Sequence, residues 1–192
     1  METLDAIMTR RSVAKVSAER PPRALIAKLL EAAVRAPTHH LTQPWRFVVL
    51  AGDARRGLGD AWAAADLREG KRDPYQARAK ALRAPVIVTV IECLKPHLPK
   101  VVEIEEHYAV GAAVQNLLLA AHDLGLGAMI RTGPAAGQPE VRDFLELEDC
   151  ELVAGFVYIG FPDPDAPERP LTRRTSAGDL TQWWGWTDRP AG

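Results

Sequence analysis

Apolar positions along this chain recur with the periods of helices and strands. Leu4, Ile7 and Met8 share one face of a short helix over residues 3–9, and Arg10-Arg11-Ser12 follow directly at its end. Leu25, Leu29, Leu30, Ala33 and Val34 predict a second helix over 22–35, opened by Pro21-Pro22 and stopped before Pro37, which biases Ala36 away from helical geometry. After a polar loop over 38–44, the runs at 45–50 and 85–91 are short, apolar and rich in β-branched or aromatic residues, and read as strands buried on both faces. Between them lie a helix over 54–65 and a charged stretch over 66–83, whose polarity suggests an exposed excursion or a mobile cover. The run 102–124 predicts a long helix with almost nothing polar between Ala109 and Ala121. A helix apolar on all sides must be covered on all sides, and in a chain this short a second subunit is one way to cover it. Gly125 is placed to cap it in the left-handed region. Strands at 127–131 and 152–159, separated by a helix near 139–145, complete the pattern.

This order predicts a mixed central sheet with helices on both sides, occupying residues 1–160 as one domain. Residues 161–192 show little periodicity and carry Pro162, Pro164, Pro167, Pro170 and Pro190, so they form no core of their own. They also hold Trp183, Trp184 and Trp186. Three indoles left in water are unfavourable, so this tail reads as an arm laid over the body or over a partner.

The balance of Lys+Arg 24 against Asp+Glu 25 gives a net charge of -1. That leaves no global excess of positive charge to hold a polyphosphate backbone or an anionic membrane, and it disfavours a nucleic-acid patch built from Arg10, Arg11, Arg173 and Arg174. The start of the chain lacks a long apolar run of the secretory kind, and the stretch 108–121 is too short and too polar to span a bilayer. A cytoplasmic soluble protein is expected. Cys93 and Cys150 have no metal-type spacing and are expected as two buried thiols in a reducing compartment.

Candidate chemistry is sparse. Arg10, Arg11 and Ser12 offer two guanidinium forks and a hydroxyl suited to a phosphate monoester, although adjacent arginines at a helix end are as readily a solvated face. Arg35, Thr38, His39 and His40 add donors before a buried strand. Arg131-Thr132-Gly133 leave a strand at a position where ligands commonly bind, or simply where a strand exits. Gly125-Leu126-Gly127 lies between helix and strand, the wrong order for a dinucleotide loop. His107 with Glu103 is half of a carboxylate metal pair, but no second copy exists, so no metal site is expected. Acyl-transfer and metallohydrolase motifs are absent, so any reaction falls to a bound cofactor.

Taken together, the chain resembles the flavin-dependent nitroreductase family, and most nearly its small bacterial members. The likeness rests on Arg10-Arg11-Ser12, Ala36-Pro37-Thr38-His39, Gln43-Pro44-Trp45-Arg46-Phe47, the helix from Val110 to Ala121, Gly125-Leu126-Gly127 and Gly160-Phe161-Pro162, in that order over nearly the whole chain. The resemblance implies an α+β fold and a homodimer with exchanged C-terminal arms and two tightly bound FMN molecules in clefts shared between subunits. Hydride would pass from NAD(P)H to flavin and on to a nitroaromatic, quinone or related small acceptor. No catalytic side chain is required. It assigns Arg10, Arg11 and Ser12 of one chain to FMN, with Arg35 and His39 from the other and Arg131, Thr132 and Gly133 closing on the far side. It assigns Ala121, His122, Asp123, Leu124, Gly125 and Leu126 to the nicotinamide nucleotide. Leu41 stands where many relatives have Asn, Ile130 where some have an aromatic, and Lys15 is the nearest counterpart of a flavin-contacting lysine. The alternative is a non-catalytic flavin-binding sensor or storage protein.

Overall fold

The computed structural model describes residues 1–70, 73–167 and 170–186. Six helices, α1 (Thr3–Thr9), α2 (Arg23–Ala33), α3 (Ala54–Arg68), α4 (Pro74–Ala81), α5 (Glu103–Asp123) and α6 (Pro139–Phe144), surround four strands, β1 (Trp45–Ala51), β2 (Val86–Cys93), β3 (Gly127–Arg131) and β4 (Glu151–Gly160). The sheet order is β1-β2-β4-β3. All pairings among the described strands are antiparallel, so the mixed character expected from the element order is not present within the described chain, although the α+β class and helices on both faces are.

The strands divide two cores by simple alternation. Val86, Val88, Val157, Ile159 and Ala128 face α2 and α5, meeting Leu29, Ala113 and Leu117. Ile87, Phe156 and Tyr158 face α3, α4 and α6, meeting Leu58, Trp62 and Val141. Strand β2 is buried on both sides as expected, but β1 is an edge strand with Val49 41% exposed, so it is not. A bulge at Val90/Ile91 lets β4 pass with one extra residue.

Two further expectations are corrected. The charged stretch 66–83 is not an excursion throughout: α3 runs on to Arg68, and α4 packs against it with Ala77 and Ala81 buried. Helix α5, expected to need cover beyond its own chain, is left uncovered along one line. Ala109, Val110, Ala113, Leu117 and Ala121 are buried, whereas Ile104, Tyr108, Gly111 and Gln115 form an exposed line at about one-turn intervals. Cys150 is exposed, because it sits in the turn that enters β4, and Cys93 is only partly buried. The Cys93 thiol donates to Glu151 Oε1 at 3.2 Å, and burial pushes it up to about 12, so it stays protonated.

Residues 170–186 lie exposed against their own chain, including Trp183, Trp184 and Trp186. No helix among the described residues is long and apolar enough to cross a membrane.

Candidate active site

Helix α1 ends at Arg10, whose backbone N–H closes the last turn on Ala6 O, and the chain then runs extended across the ends of β3 and β4. Val13 N–H donates to Ala128 O at 3.0 Å, Val16 bridges to Pro162, and Ser17 N–H donates to Phe161 O at 2.8 Å. This close pass requires glycine at both strand ends. A Cβ on Gly127 would lie 2.8 Å from Val13 Cγ1, and one on Gly160 would lie 2.9 Å from Val16 Cβ and Pro85 Cδ. The Gly125-Leu126-Gly127 and Gly160-Phe161-Pro162 elements thus hold Arg10-Arg11-Ser12 against the sheet.

Arg11, Ser12 and Lys15 line a cavity of about 420 Å³ together with His122, Gly125 and Leu126. The structure therefore brings part of the expected nicotinamide stretch onto the same cavity as the expected phosphate donors. Within that stretch the residues separate. Ala121 is fully buried in the core, so its side chain faces no ligand, and Asp123 is engaged by the Met1 ammonium at 2.9 Å. Leu124 caps α5, and Gly125 (φ 73) closes the helix in the left-handed region as predicted. His122 Nε2 lies 2.9 Å from Thr9 Oγ1, fastening α1 to the end of α5.

Arg131, Thr132 and Gly133 line a second cavity of about 500 Å³ on the opposite sheet face, with Trp62 and Tyr158 among its walls. The Arg131 guanidinium stands 5.4 Å from the Tyr158 ring centroid, within cation–π range. Burial pushes the Tyr158 phenol up to about 12, against the opposing fields of Arg131 and Arg83. Gly133 has φ 146 and ψ 178, a conformation left to glycine, and this sets the direction in which the loop leaves the sheet.

Two guanidinium donors are conspicuous. Arg10 Nε and Arg131 Nε are both buried and lack a hydrogen-bond partner among the described residues. Buried donors are almost always paired, so these two Nε–H groups stand out as unsatisfied.

Arg35 and His39 line neither cavity. Arg35 lies exposed just past α2, and His39 sits on a 3-10 turn with Nε2 3.9 Å from Glu105 Oε2. One chain does not bring them to Arg10, Arg11 and Ser12. The turn that carries His39 is strained: His40 (φ 51), Leu41 (φ 53) and Gln43 (φ 46) are all left-handed without being glycine. It is braced by Lys95 Nζ, which donates to Thr42 O, and Glu106, buried in α5, accepts the Lys95 backbone N–H at 2.7 Å. Neither Lys95 nor Glu106 carries a sequence signal that marks this role. His107 is engaged by Glu92 at 2.9 Å and by Glu103 at 3.5 Å.

A model of the nitroreductase family matches residues 7–161. The chain belongs to the nitroreductase family. It is 31% identical over 165 residues to YdjA of Escherichia coli strain K12, whose provisional name is NAD(P)H nitroreductase, covering 84% of this chain and 89% of that one. A nitroreductase-like family protein from Bacillus cereus superposes with a TM-score of 0.84 at 25% identity, covering 97% of each chain. NfnB from Sphigopyxis sp. strain HMH, titled an FMN- and NADPH-dependent nitroreductase, shares the fold with a TM-score of 0.78 at 22% identity, over 97% of this chain and all of that one. Family membership makes the chain an oxidoreductase, and the sequence-based expectation of this family and its fold is borne out.

Proposed function

We propose that the protein is a homodimeric FMN oxidoreductase that accepts hydride from NAD(P)H and passes it, in a second half-reaction, to a nitroaromatic, quinone or related small acceptor. The observation that carries this reading is the pair of buried Nε–H donors at Arg10 and Arg131, neither with a hydrogen-bond partner among the described residues. FMN fits the donor set: its phosphate suits Arg11 and Ser12 on their cavity with the adjoining Arg10, and the strand exit at Arg131-Thr132-Gly133 leaves room for a ring. When bound, FMN supplies the hydride chemistry for which the chain has no residues of its own. The protein's part is to seat the phosphate, orient the ring and exclude water from the cleft. NfnB is described as FMN- and NADPH-dependent, and YdjA is named for NAD(P)H. Of the expected nicotinamide residues, His122, Gly125 and Leu126 are those that reach the cavity.

The dimer rests on unsatisfied surface. Leu4 and Met8 on α1 are 74% and 73% exposed, Ile104 and Tyr108 near the start of α5 are exposed as well, and the arm from 161 onward presents three indoles. A second copy covers these faces and brings its Arg35 and His39 to the shared site. The last residues of the arm, 187–192, lie outside the described residues. Free thiols at Cys93 and Cys150 suit a reducing cytoplasm.

Purification followed by a visible spectrum tests the reading: about one FMN per chain is expected, bleached by anaerobic NAD(P)H and restored by a nitroaromatic or quinone. A colourless protein that also leaves added FMN fluorescence unquenched refutes it. A yellow protein that no nicotinamide donor reduces is instead a binding or storage protein.

A further inference from the structure

The turn that carries His39 is held from behind at two carbonyls. Lys95 Nζ donates to Thr42 O, and Cys93 N–H donates to Pro44 O at 2.9 Å. Both donors belong to the end of β2 and the residues just past it, and that segment is itself fastened to the first turns of α5. Glu92 meets His107 Nδ1 at 2.9 Å, and Glu106 Oε2 accepts the Lys95 backbone N–H at 2.7 Å. Glu106 is 3% exposed, and its other oxygen, Oε1, is buried with no hydrogen-bond partner among the described residues. A carboxylate buried with one oxygen idle is unfavourable, which makes it weak support for the fold and marks a position being held instead. The turn is unfavourable as well. His40, Leu41 and Gln43 are left-handed without being glycine, yet the side chains of His39 and Leu41 stay exposed, so their packing does not offset the strain.

We infer that Lys95 and Glu106 are positioning residues: they hold the 39–43 turn in the strained shape that presents His39 to the flavin shared with the partner subunit. The inference rests on the FMN reading above. Glu106 fixes the Lys95 backbone, and the Lys95 ammonium fixes Thr42 O between the left-handed Leu41 and Gln43. Neither side chain need touch the ligand. Without the ammonium the turn relaxes toward ordinary backbone geometry and His39 leaves its place. Relief of the strain offsets the lost hydrogen bond, so the fold loses little. What goes is preorganisation, because FMN must then order the turn as it binds.

A double-mutant cycle on FMN affinity, read by fluorescence quenching as the full-length apoprotein takes up FMN, tests this. Lys95→Met should weaken FMN about tenfold while moving the melting temperature of the apoprotein by no more than about 3 °C. In the His39→Ala background the same change should cost less than about twofold further, since the side chain it positions is gone. Lys95→Arg, whose longer donor still reaches Thr42 O, should bind within about threefold of the native protein. Glu106→Ala should weaken FMN too, and should add less than about twofold to Lys95→Met. Saturating FMN should return kcat in the Lys95→Met protein, because the turn retains the cofactor and takes no part in hydride transfer. Should that variant not fold, Lys95→Gln, whose shorter amide falls short of Thr42 O, takes its place in the cycle. Native FMN affinity in the folded variant, an equal loss in both His39 backgrounds, or an arginine variant as weak as the methionine one overturns the proposal. A native protein that takes up no FMN removes the flavin reading and this inference with it. One that binds FMN while its affinity ignores Lys95 removes this inference alone.

Discussion

Single side chains carry two separable tasks here, holding the ligand and holding the fold. Arg10→Ala removes one of the two idle buried guanidinium donors, and loss of a charge-assisted contact predicts FMN binding weaker by about 1.5 to 3 kcal/mol, read by fluorescence quenching with the circular dichroism spectrum unchanged. His39→Ala should weaken FMN retention while the dimer persists, and excess FMN should restore turnover. If affinity is unaltered, His39 is only a partner for Glu105. Glu151 belongs to the fold. Arg46 holds it through two hydrogen bonds at 2.7 and 2.6 Å, which brings its carboxyl down to about 2 from the ordinary 4.5. A depressed carboxylate contributes stability that is fully present above its unfolded pKa and is lost as pH falls from about 4.5 toward 2. Thermal melts should therefore drop over that window, and Glu151→Gln, expected to cost roughly 3 kcal/mol at neutral pH, should flatten the pH dependence. Cys93, which donates to the same carboxylate, should resist alkylation in the native state, and the exposed Cys150 should react.

At the scale of elements, legibility follows side-chain size. Strand β3 was readable to the residue, and β2, β4 and α5 to within two, because Val, Ile and Leu bury large areas at fixed spacing. Helix α4 was not, because its buried face is only Ala77 and Ala81 and leaves no apolar periodicity to detect. A signal was nevertheless present: Asp73 caps the Gln76 N–H and Pro74 opens the helix, the donor-sparing start that often begins a helix. Small residues are required because α4 crosses α3 at Gly59, where a Cβ would meet the Arg78 backbone at 3.0 Å and Ala81 Cβ at 3.2 Å. Ala81→Leu should cost about 1 to 3 kcal/mol by overpacking, measured by urea denaturation. Gly160→Ala should cost a similar amount and also weaken FMN, since it pushes away the segment that carries Ser12. The glycines of the proposed cofactor site were legible because backbone geometry fixes them, Gly125 at the helix end and Gly133 at the strand exit. Lys95, Glu106 and Trp62 were not, because they act through contacts between residues distant in sequence.

For the whole molecule, the proposed division of site residues between chains makes a prediction that no single-chain protein shares. A chain carrying Arg10→Ala with Ser12→Ala and a chain carrying Arg35→Ala with His39→Ala should each bind FMN poorly as homodimers. Co-expressed, they form mixed dimers with one site wholly intact and one doubly impaired, so flavin content should recover toward half per chain. Recovery to zero places both groups in the same chain's site. Light scattering should return about twice 21.0 kDa for the native protein, and removal of residues 161–192 should release monomer or aggregate as the exposed faces of α1 and α5 lose their cover.

The turn of three left-handed residues after α2 has an evolutionary consequence. Each side chain held there costs on the order of 1 kcal/mol that glycine or asparagine at the same position avoids. Leu41, 80% exposed, packs on little of its own chain that such a change would forfeit. Lineages under pressure for heat tolerance alone should drift at this position toward glycine or asparagine, whereas lineages under pressure for turnover should keep a bulky residue that stiffens a loop proposed to meet the flavin across the dimer. Leu41→Gly is expected to raise the melting temperature of the apoprotein while loosening its grip on FMN, a trade visible as opposite shifts in two assays of one variant.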